Sequence, residues 1–404
     1  MDATKVNEAL REICSFAARE VEFYRQLFQE SSLAIDSIQS VADLSKIPLL
    51  TKQAVQQNMS SMFADPFQRY PQIDKITVQR SLGKQGYYSK TLWLEDEQKL
   101  ALDSLTHQTA AFGKREEMRC CTFHTSCYED NLIVEIKPKI QKNNRLSLSN
   151  QGLAAGSIKI AYEEIMCFAP NYCSLLPTVA YQLADYMQQH RLPPPDSLKY
   201  IELTGEHLSG ECREFLEKIF RVPIRNYYSL KEVGIIAYEC NCGRMHLVEE
   251  NTIVEVVKDG RAVIDEVGEI IVTSLQNHAM PFLRLQTGDQ GVLHSSACAC
   301  GSKTPSLKIA AGRTPGFILT KNKEKVNRYS LKGLIEYTNE YMSNSISRVE
   351  LKKQEEPGIV MLQLTLKPAY YGWEDAIKQE FLKQVQNGDW PFLDWKITFT
   401  DREK

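Results

Sequence analysis

Apolar residues recur at helical spacing through the first 65 residues of this 404-residue chain. Leu10, Ile13, Phe16 and Ala17 share one face of a helix, and the Ile47-Pro48 step ends the helical pattern. From about residue 74 to 275, short apolar runs alternate with longer helical stretches. This alternation is typical of an α/β sheet covered by helices.

The predicted elements of this central region can be given by their bounds. The apolar runs predicted as strands are Leu132-Ile136, Ile165-Phe168, Tyr200-Leu203 and Ile224-Tyr228. The predicted helices are Glu97-Phe112, Pro177-Gln189 and Ser209-Ile219. A β-rich stretch follows, with strands predicted at 252–257, 269–273 and 291–294.

The pattern changes after Gly312-Arg313-Thr314-Pro315-Gly316, a stretch that is typical of a hinge. Beyond it we predict helices at 330–342 and 373–387, and strands at 347–354, 359–367 and 395–400. The chain therefore divides into a large α/β domain, 1–312, with a helical lead-in over 1–65, and a small α+β domain, 313–404.

Composition narrows the class of protein. Apolar residues make up 43% and charged residues 25%, and the formal net charge is -3. A chain with this charge balance has no basic field for phosphate backbones or anionic membranes, so nucleic acid and membrane are not expected as partners. The first residues also lack the apolar run of a signal peptide, and we expect a cytoplasmic protein.

Four of the eleven cysteines form a matched pattern, Cys240-Asn241-Cys242-Gly243 and Cys298-Ala299-Cys300-Gly301. Two Cys-x-Cys-Gly knuckles with four soft ligands suit tetrahedral Zn²⁺, and a full ligand set makes the site structural. We predict that zinc held by Cys240, Cys242, Cys298 and Cys300 staples the β-rich part, about 238–311. Two alternatives remain: His246 replaces one cysteine, or the four thiols are unrelated.

Several further short motifs occur along the chain, and both their order and their spacing are informative. They are Ile47-Pro48-Leu49-Leu50-Thr51-Lys52, Thr204-Gly205-Glu206, Tyr228-Ser229-Leu230-Lys231-Glu232, Ala279-Met280-Pro281-Phe282-Leu283-Arg284, Thr287-Gly288-Asp289 and Gly312-Arg313. Together they resemble the phenylacetate-CoA ligase branch of the adenylate-forming superfamily. That resemblance implies a large N-terminal domain with a small C-terminal domain, and conversion of a carboxylic acid and ATP to an acyl-adenylate. The acyl group then passes to a thiol, usually that of coenzyme A.

The resemblance also implies roles for individual residues. Asp289 accepts hydrogen bonds from ribose hydroxyls, Tyr228 lies on the adenine face, and Gly205 and Glu206 lie along the adenine edge. Glu232 stands where the family carries its Mg²⁺-linked carboxylate, and Arg313 reaches ribose or phosphate. The alternatives are a solvated turn residue at Asp289, a packed core ring at Tyr228 and a surface side chain at Arg313.

The chain departs from the family where ATP phosphates bind. The phosphate loop reads Ser81-Leu82-Gly83-Lys84-Gln85-Gly86, so Lys84 and Gln85 replace hydroxyl residues between two retained glycines, Gly83 and Gly86. Lys231 replaces the family's phosphate-contacting hydroxyl residue, and Ser229 replaces a glycine. Pro315-Gly316 replaces the acidic hinge pair, and the C-terminal segment with the adenylation lysine is not expected here. These departures make ATP binding weaker than the fold alone suggests.

An acyl pocket is expected between the segment after the phosphate loop and the strand ends before the tyrosine motif. Its predicted lining residues are Phe123, Phe168, Pro170, Asn171 and Tyr172. His124 is a candidate acid or base, and Cys121 or Cys127 a candidate acyl acceptor. The competing interpretation is a set of buried cysteines on a strand with a hydrogen-bonded histidine.

Three functions follow from these observations. The first is a ligase that activates a small carboxylic acid, with an aromatic acid as one candidate. It transfers the acyl group to coenzyme A, a carrier-protein thiol or an amine. The second is an ATP-independent enzyme that transfers or condenses an already activated acyl-CoA or carrier-bound acyl group. The third is a non-catalytic pseudo-ligase that binds a partner. The resemblance further implies a homodimer.

Overall fold

A computed structural model describes residues 3–65, 76–82, 88–124, 139–149, 158–311, 317–321, 325–327, 335, 338, 342, 345–352, 354, 356–387 and 393–400. The chain forms two compact units, each assembled from separate stretches of sequence. The first unit contains Met1–Ser81, Ser89–Ala111 and Arg225–Arg313. The second contains Leu82–Tyr88, Phe112–Ile224 and Thr314–Lys404.

Three helices belong to the N-terminal part of the first unit: α1 (Ala3–Glu20), α2 (Glu22–Glu30) and α3 (Lys52–Gln57). Leu10, Ile13 and Ala17 repeat at helical spacing on α1 and are fully buried. This buried face packs into the main apolar core of the unit, which also contains residues of the β-rich stretch.

Tyr24 connects α2 to the loop before the Asp289 motif. Its ring is fully buried, its hydroxyl donates to the carbonyl oxygen of Pro281 at 3.0 Å, and the same hydroxyl accepts from the amide of Leu283 at 2.9 Å. Both functions of the phenol oxygen are therefore satisfied inside the core.

A second connection joins the N-terminal segment to this region. Leu50 forms a parallel bridge with Leu285, in which the Leu50 amide donates to the carbonyl oxygen of Arg284 at 3.0 Å. The buried guanidinium of Arg284 pairs with Glu255 at 2.9 Å and donates to the carbonyl oxygen of Ile47 at 2.6 Å. A buried charge of this kind is stable only because it is paired and hydrogen-bonded.

The strands of the first unit pair antiparallel throughout their described registers. A two-stranded sheet of β1 (Ile76–Leu82) and β2 (Tyr88–Leu94) precedes α4 (Glu95–Thr109). The larger sheet runs, in spatial order, β12 (Arg261–Ala262), β11 (Thr252–Lys258), β13 (Gly268–Ser274), β14 (Leu285–His294), β15 (Ser306–Ala311), β10 (Met245–Leu247), β9 (Gly234–Glu239) and β8 (Ile224–Leu230).

The second unit contains a mainly parallel sheet. Its spatial order is β7 (Tyr200–Leu203), β6 (Tyr172–Leu175), β3 (Cys120–His124), β5 (Arg145–Ser149) and β4 (Lys139–Lys142), of which only β4 pairs antiparallel. All four residues of β7 are buried, as expected of a parallel strand covered on both faces. The helices that accompany this sheet are α5 (Ile158–Phe168), α6 (Pro177–His190) and α7 (Gly210–Phe220).

The C-terminal stretch of the second unit has its own sheets and core. Its elements are β16 (Phe317–Leu319), β17 (Lys325–Asn327), β18 (Ile346–Leu351), β19 (Ile359–Leu366), α8 (Glu374–Asn387) and β20 (Asp394–Phe399). β19 pairs antiparallel with β18 and parallel with β20, and Ile377 and Phe381 of α8 are fully buried in the adjoining core.

The predicted α/β class is confirmed, with one element corrected. Ile165-Phe168 is not a strand but the last turn of α5, whose buried residues Ala161, Tyr162, Ile165 and Phe168 follow a helical repeat. The predicted strand at 132–136, and most of the predicted helix at 330–342, lie outside the described residues. In the described part of the chain, no helix combines the length and apolar character needed to cross a membrane.

Candidate functional site

The Thr287-Gly288-Asp289 motif is a bulge in β14. Three residues of β14 lie opposite a single residue of β13, Ile270, between the flanking paired positions. Gly288 adopts a φ of 77°, a conformation that glycine reaches without strain. The Thr287 hydroxyl donates to the carbonyl oxygen of Ile270 at 2.8 Å and accepts from the amide of Asp289 at 3.1 Å. The motif therefore fixes the backbone from which the Asp289 carboxylate projects.

Asp289 is hydrogen-bonded to Tyr228. The Tyr228 hydroxyl donates to Oδ2 of Asp289 at 2.9 Å, while the carboxylate is 6% exposed and the tyrosine is half-buried. Tyr228 lies on β8 directly before a register shift at Ser229 in the pairing with β9. The structure thus brings together the two residues expected at the ribose and the adenine.

Lys231 follows in the turn after β8 and is held at two points. Its carbonyl oxygen accepts from the indole of Trp93 at 2.8 Å, and its ammonium donates to Oε1 of Gln79 at 3.1 Å. Gln79 lies on β1, the strand that leads into the predicted phosphate loop. Lys231, at a position where the resemblance expects a phosphate-contacting hydroxyl, is therefore next to β1.

Glu232, the candidate Mg²⁺ carboxylate, is only 3% exposed. Its Oε1 lies 3.9 Å from Nζ of Lys52, whose side chain is 18% exposed. Lys52 is the last residue of the motif that begins at Ile47, and no role was predicted for it from the sequence. Neither Lys52 nor Gln79 was identified as a site residue from sequence, because both reach the motif through contacts between distant parts of the chain.

The Thr204-Gly205-Glu206 motif directly follows β7 in the second unit. Gly205 has a φ of 83°, and a Cβ at this position would lie 2.8 Å from Cδ2 of Leu176. The carboxylate of Glu206 accepts from the amide and the hydroxyl of Thr178, both at 2.9 Å. Because Thr178 is in the first turn of α6, Oε2 of Glu206 caps that helix through the backbone amide, while Oε1 binds the Thr178 hydroxyl.

The predicted pocket residues do not form one group. Phe123 and Phe168 belong to one apolar cluster of the second unit, and Tyr172 belongs to another with Cys120 and Tyr200. Tyr172 is the first residue of β6 and pairs with the first residue of β3. It therefore lies at the amino edge of the parallel sheet, whereas ligands in such sheets bind at the carboxyl edge.

The loop before β6 is also engaged at this amino edge. The Asn171 side chain accepts from the amide of Arg119 at 2.9 Å and donates to the carbonyl oxygen of Ser197 at 3.4 Å. The carbonyl oxygen of Pro170 accepts from the Ser197 hydroxyl at 2.9 Å. His124, as the last residue of β3, lies at the opposite edge of the sheet.

A buried polar cluster at the same edge was not predicted. Arg115 pairs through both terminal nitrogens with the fully buried carboxylate of Glu202, and its guanidinium carbon lies 4.6 Å from the centre of the Tyr172 ring. A bidentate guanidinium–carboxylate pair is stronger than a neutral hydrogen bond, and a guanidinium over an aromatic ring gains further attraction. Tyr172 is thus enclosed by structural partners.

Cys121, one of the two candidate cysteine nucleophiles, is poorly suited to catalysis at neutral pH. A hydrogen bond with Cys173, and then burial, raises the pKa of the Cys121 thiol well above its usual range. Burial likewise raises the pKa of Cys120 to about 11. A thiol must lose its proton to act as a nucleophile, so Cys121 is better described as a core residue. Cys127 lies outside the described residues.

Several predicted nucleotide contacts also lie outside the described part of the chain. These are Gly83, Lys84, Gly86 and Arg313, together with the side chain of Ser81; the side chain of the candidate acid or base His124 also lies outside it.

The cysteine knuckles come together in the first unit. Cys240, His246, Cys298 and Cys300 present one ligand atom each, and these four atoms lie within 4.8 Å of one another. The Sγ atoms of Cys240 and Cys298 are 3.8 Å apart, which is about the edge of a tetrahedron with Zn–S bonds of about 2.3 Å. Sγ of Cys300 lies 3.3 Å from Nε2 of His246.

His246 rather than Cys242 completes this group. Nδ1 of His246 lies 3.0 Å from the carbonyl oxygen of Thr304, a contact that places the ring proton on Nδ1 and turns the Nε2 lone pair toward the sulfur atoms. Cys242 is exposed, and its amide donates to Sγ of Cys240 at 3.4 Å. The histidine that the sequence offered as an alternative thus lies within the four-atom group, and the predicted ligand Cys242 lies outside it.

Comparison with known proteins agrees with the motifs. The chain is 25% identical over 321 residues to a phenylacetate-coenzyme A ligase of Thermus thermophilus, covering 77% of this chain and 70% of that protein. It is 24% identical over 291 residues to a phenylacetate-coenzyme A ligase of Pseudomonas putida, covering 70% and 64%. No family model matches the chain.

A solved structure shares the fold. The crystal structure of 2-hydroxyisobutyryl-CoA ligase in complex with 2-HIB-AMP and CoA superposes with a TM-score of 0.66 at 16% identity, covering all of this chain and 88% of that one. The resemblance to the phenylacetate-CoA ligase branch of the adenylate-forming superfamily is therefore confirmed by the two sequence relatives, and the solved structure confirms the fold.

Proposed function

From this likeness to phenylacetate-CoA ligases, we propose that the protein is an acyl-activating enzyme of the acyl-CoA ligase type. It converts a small carboxylic acid and ATP to an acyl-adenylate and pyrophosphate, and then transfers the acyl group to a thiol. The observation that carries this proposal is the 25% identity to the Thermus thermophilus ligase over 77% of this chain. The shared fold supports it.

The chemistry requires a better leaving group on the acid. A carboxylate oxygen attacks the α-phosphorus of ATP, pyrophosphate leaves, and the acyl carbon becomes susceptible to a thiolate that expels AMP. The protein contributes positioning and charge stabilisation around the phosphates. In this proposal Asp289 binds ribose hydroxyls, Glu232 holds Mg²⁺, and Lys231 supplies positive charge at the phosphates.

Release of pyrophosphate with a panel of aromatic and short aliphatic acids tests the proposal. Asp289→Asn should lower kcat/KM for ATP about tenfold or more, because hydrogen bonds to a charged partner are the stronger kind. Asp265→Asn is the matched control, since Asp265 is an exposed carboxylate paired with His294 at 2.7 Å. Folded wild-type protein that releases no pyrophosphate with any acid would contradict the proposal.

One observation favours a second function, nucleotide-independent acyl transfer. The ammonium of Lys231 is bonded to Gln79, where the resembling enzymes offer a hydroxyl to phosphate, and Lys84 and Gln85 replace hydroxyls in the loop. Such an enzyme takes a preformed acyl-CoA or carrier-bound acyl group. Transfer from acyl-CoA to a thiol or amine without nucleotide is its expected activity, and tight ATP·Mg²⁺ binding coupled to turnover of a free acid excludes it.

We also propose a structural Zn²⁺ held by Cys240, His246, Cys298 and Cys300. The amide of Cys300, followed by the His246 side chain, lowers the pKa of the Cys298 thiol to about 6, which favours the thiolate that binds zinc. Four protein ligands leave no open coordination position, so the metal joins two loops of the first unit and takes no part in the reaction.

A further inference from the structure

We propose that the hydroxyl of Tyr228 positions the Asp289 carboxylate and thereby sets the preference of the site for an intact ribose. This inference deepens the proposed nucleotide-dependent function and rests on it. It assigns to Tyr228 a role that its ring alone, lying on adenine or packed in a core, does not require.

The first argument is the distance that the contact spans within the sheet. β8 and β14 are separated by β9, β10 and β15 in the order of strands. In a flat sheet the two strands would be about 19 Å apart, at about 4.8 Å for each step. The hydrogen bond between Tyr228 and Asp289 is 2.9 Å long, so the sheet curls and both side chains project into its concave side.

The second argument is the direction in which Tyr228 points. The neighbouring Tyr227 packs toward the small cluster of Leu105, Ile235, Tyr238 and Val248, whereas Tyr228 packs against the main core that contains α1 and β14. Alternation along β8 thus directs one tyrosine toward Asp289 and the other away from it. The two residues form a natural pair for comparison.

The third argument is the chemistry of a nearly buried carboxylate. A carboxylate offers about four acceptor positions, and among the described residues the one side-chain donor recorded on Asp289 is the Tyr228 hydroxyl, on Oδ2. That bond holds the carboxylate plane in one orientation. The positions that it does not use then suit two adjacent hydroxyl donors, the 2′- and 3′-hydroxyls of a ribose.

The experiment compares binding of AMP and 2′,3′-dideoxy-AMP by calorimetry, for the wild type, Tyr228→Phe and Tyr227→Phe. The inference predicts that the wild type prefers AMP and that Tyr228→Phe reduces this preference about tenfold, the value of a hydrogen bond to a charged group. Affinity for the dideoxy nucleotide should stay within about twofold, since the ring is retained, and Tyr227→Phe should keep the wild-type preference.

The alternative outcomes separate the two proposals. An unchanged preference in Tyr228→Phe overturns the inference and leaves the proposed function intact. An equal loss of affinity for both nucleotides in Tyr228→Phe also overturns the inference, since that result would mean that the hydroxyl stabilises the site as a whole and not the binding of ribose. A folded wild type that binds neither nucleotide overturns the proposed nucleotide function, and the inference with it.

Discussion

The ligand set of the zinc site is open to a direct test, because His246 and Cys242 make opposite predictions. Structural zinc sites with four ligands bind with about 10–16 kcal/mol. An equal share per ligand is about 3 kcal/mol, or roughly a hundredfold in affinity. His246 has Nε2 at 3.3 Å from Sγ of Cys300 and a carbonyl partner on Nδ1. His246→Ala should therefore lower the affinity for zinc by about this factor.

Zinc content after challenge with a graded chelator series is the appropriate measurement. Cys242→Ser should retain zinc at nearly the chelator concentration that the wild type tolerates, because Sγ of Cys242 lies outside the four-atom group. His246→Ala should release it at about a hundredfold lower chelator strength. Cys212→Ser, a change at a half-buried thiol in the second unit, controls for the loss of any cysteine.

Release of the metal by Cys242→Ser and its retention by His246→Ala would refute the proposed ligand set. Purified wild-type protein without stoichiometric zinc would refute the zinc site itself.

Three further predictions concern stability. Tyr24→Phe leaves two buried backbone groups without their partner and should lower the unfolding free energy by about 2–3 kcal/mol in urea denaturation; a loss below about 0.5 kcal/mol would contradict the described contacts. Nδ1 of His278 donates to Oε1 of Glu97 at 2.8 Å, and this hydrogen bond raises the pKa of His278, so the stabilisation that the pair supplies is complete below the ordinary pKa of 6.5 and disappears as the pH rises through the raised value. Glu97→Gln should flatten that part of the stability profile, and an unchanged profile would count against the pair. Gly205→Ala should cost about 2 kcal/mol in thermal unfolding, because of its φ of 83° and the 2.8 Å contact, whereas Gly210→Ala, with open space around it, should be neutral or stabilising.

Periodicity predicted most elements within a few residues, since their apolar spacing reflects burial directly. Tyr200-Leu203 matches β7 at both ends, because all four residues of the run are buried, including Glu202. The strand predicted at Ile165-Phe168 is wrong, because a short apolar run is compatible with a buried strand and with the end of a helix. The helical repeat that decides the case begins at Ala161, before the run.

The site was predictable where a local motif carries part of its own geometry. In Thr287-Gly288-Asp289 the Thr287 hydroxyl accepts from the Asp289 amide two residues later, and Gly288 supplies the positive φ, so the motif itself identifies the turn. The contacts of Lys231 with Gln79 and of Glu206 with Thr178 join residues 152 and 28 positions apart, and no spacing rule specifies them. His246 likewise depends on a carbonyl 58 residues away.

The bridge between Leu50 and Leu285 has a consequence for how the chain is made. Because 285 - 50 = 235, that many residues must be synthesised after Leu50 before its partner exists, which takes about 12–47 s at about 5–20 residues per second. The buried face of α1 and the ring of Tyr24 belong to the same core, so they too wait for that partner. The N-terminal helices are thus synthesised well before the partners that complete their final surroundings.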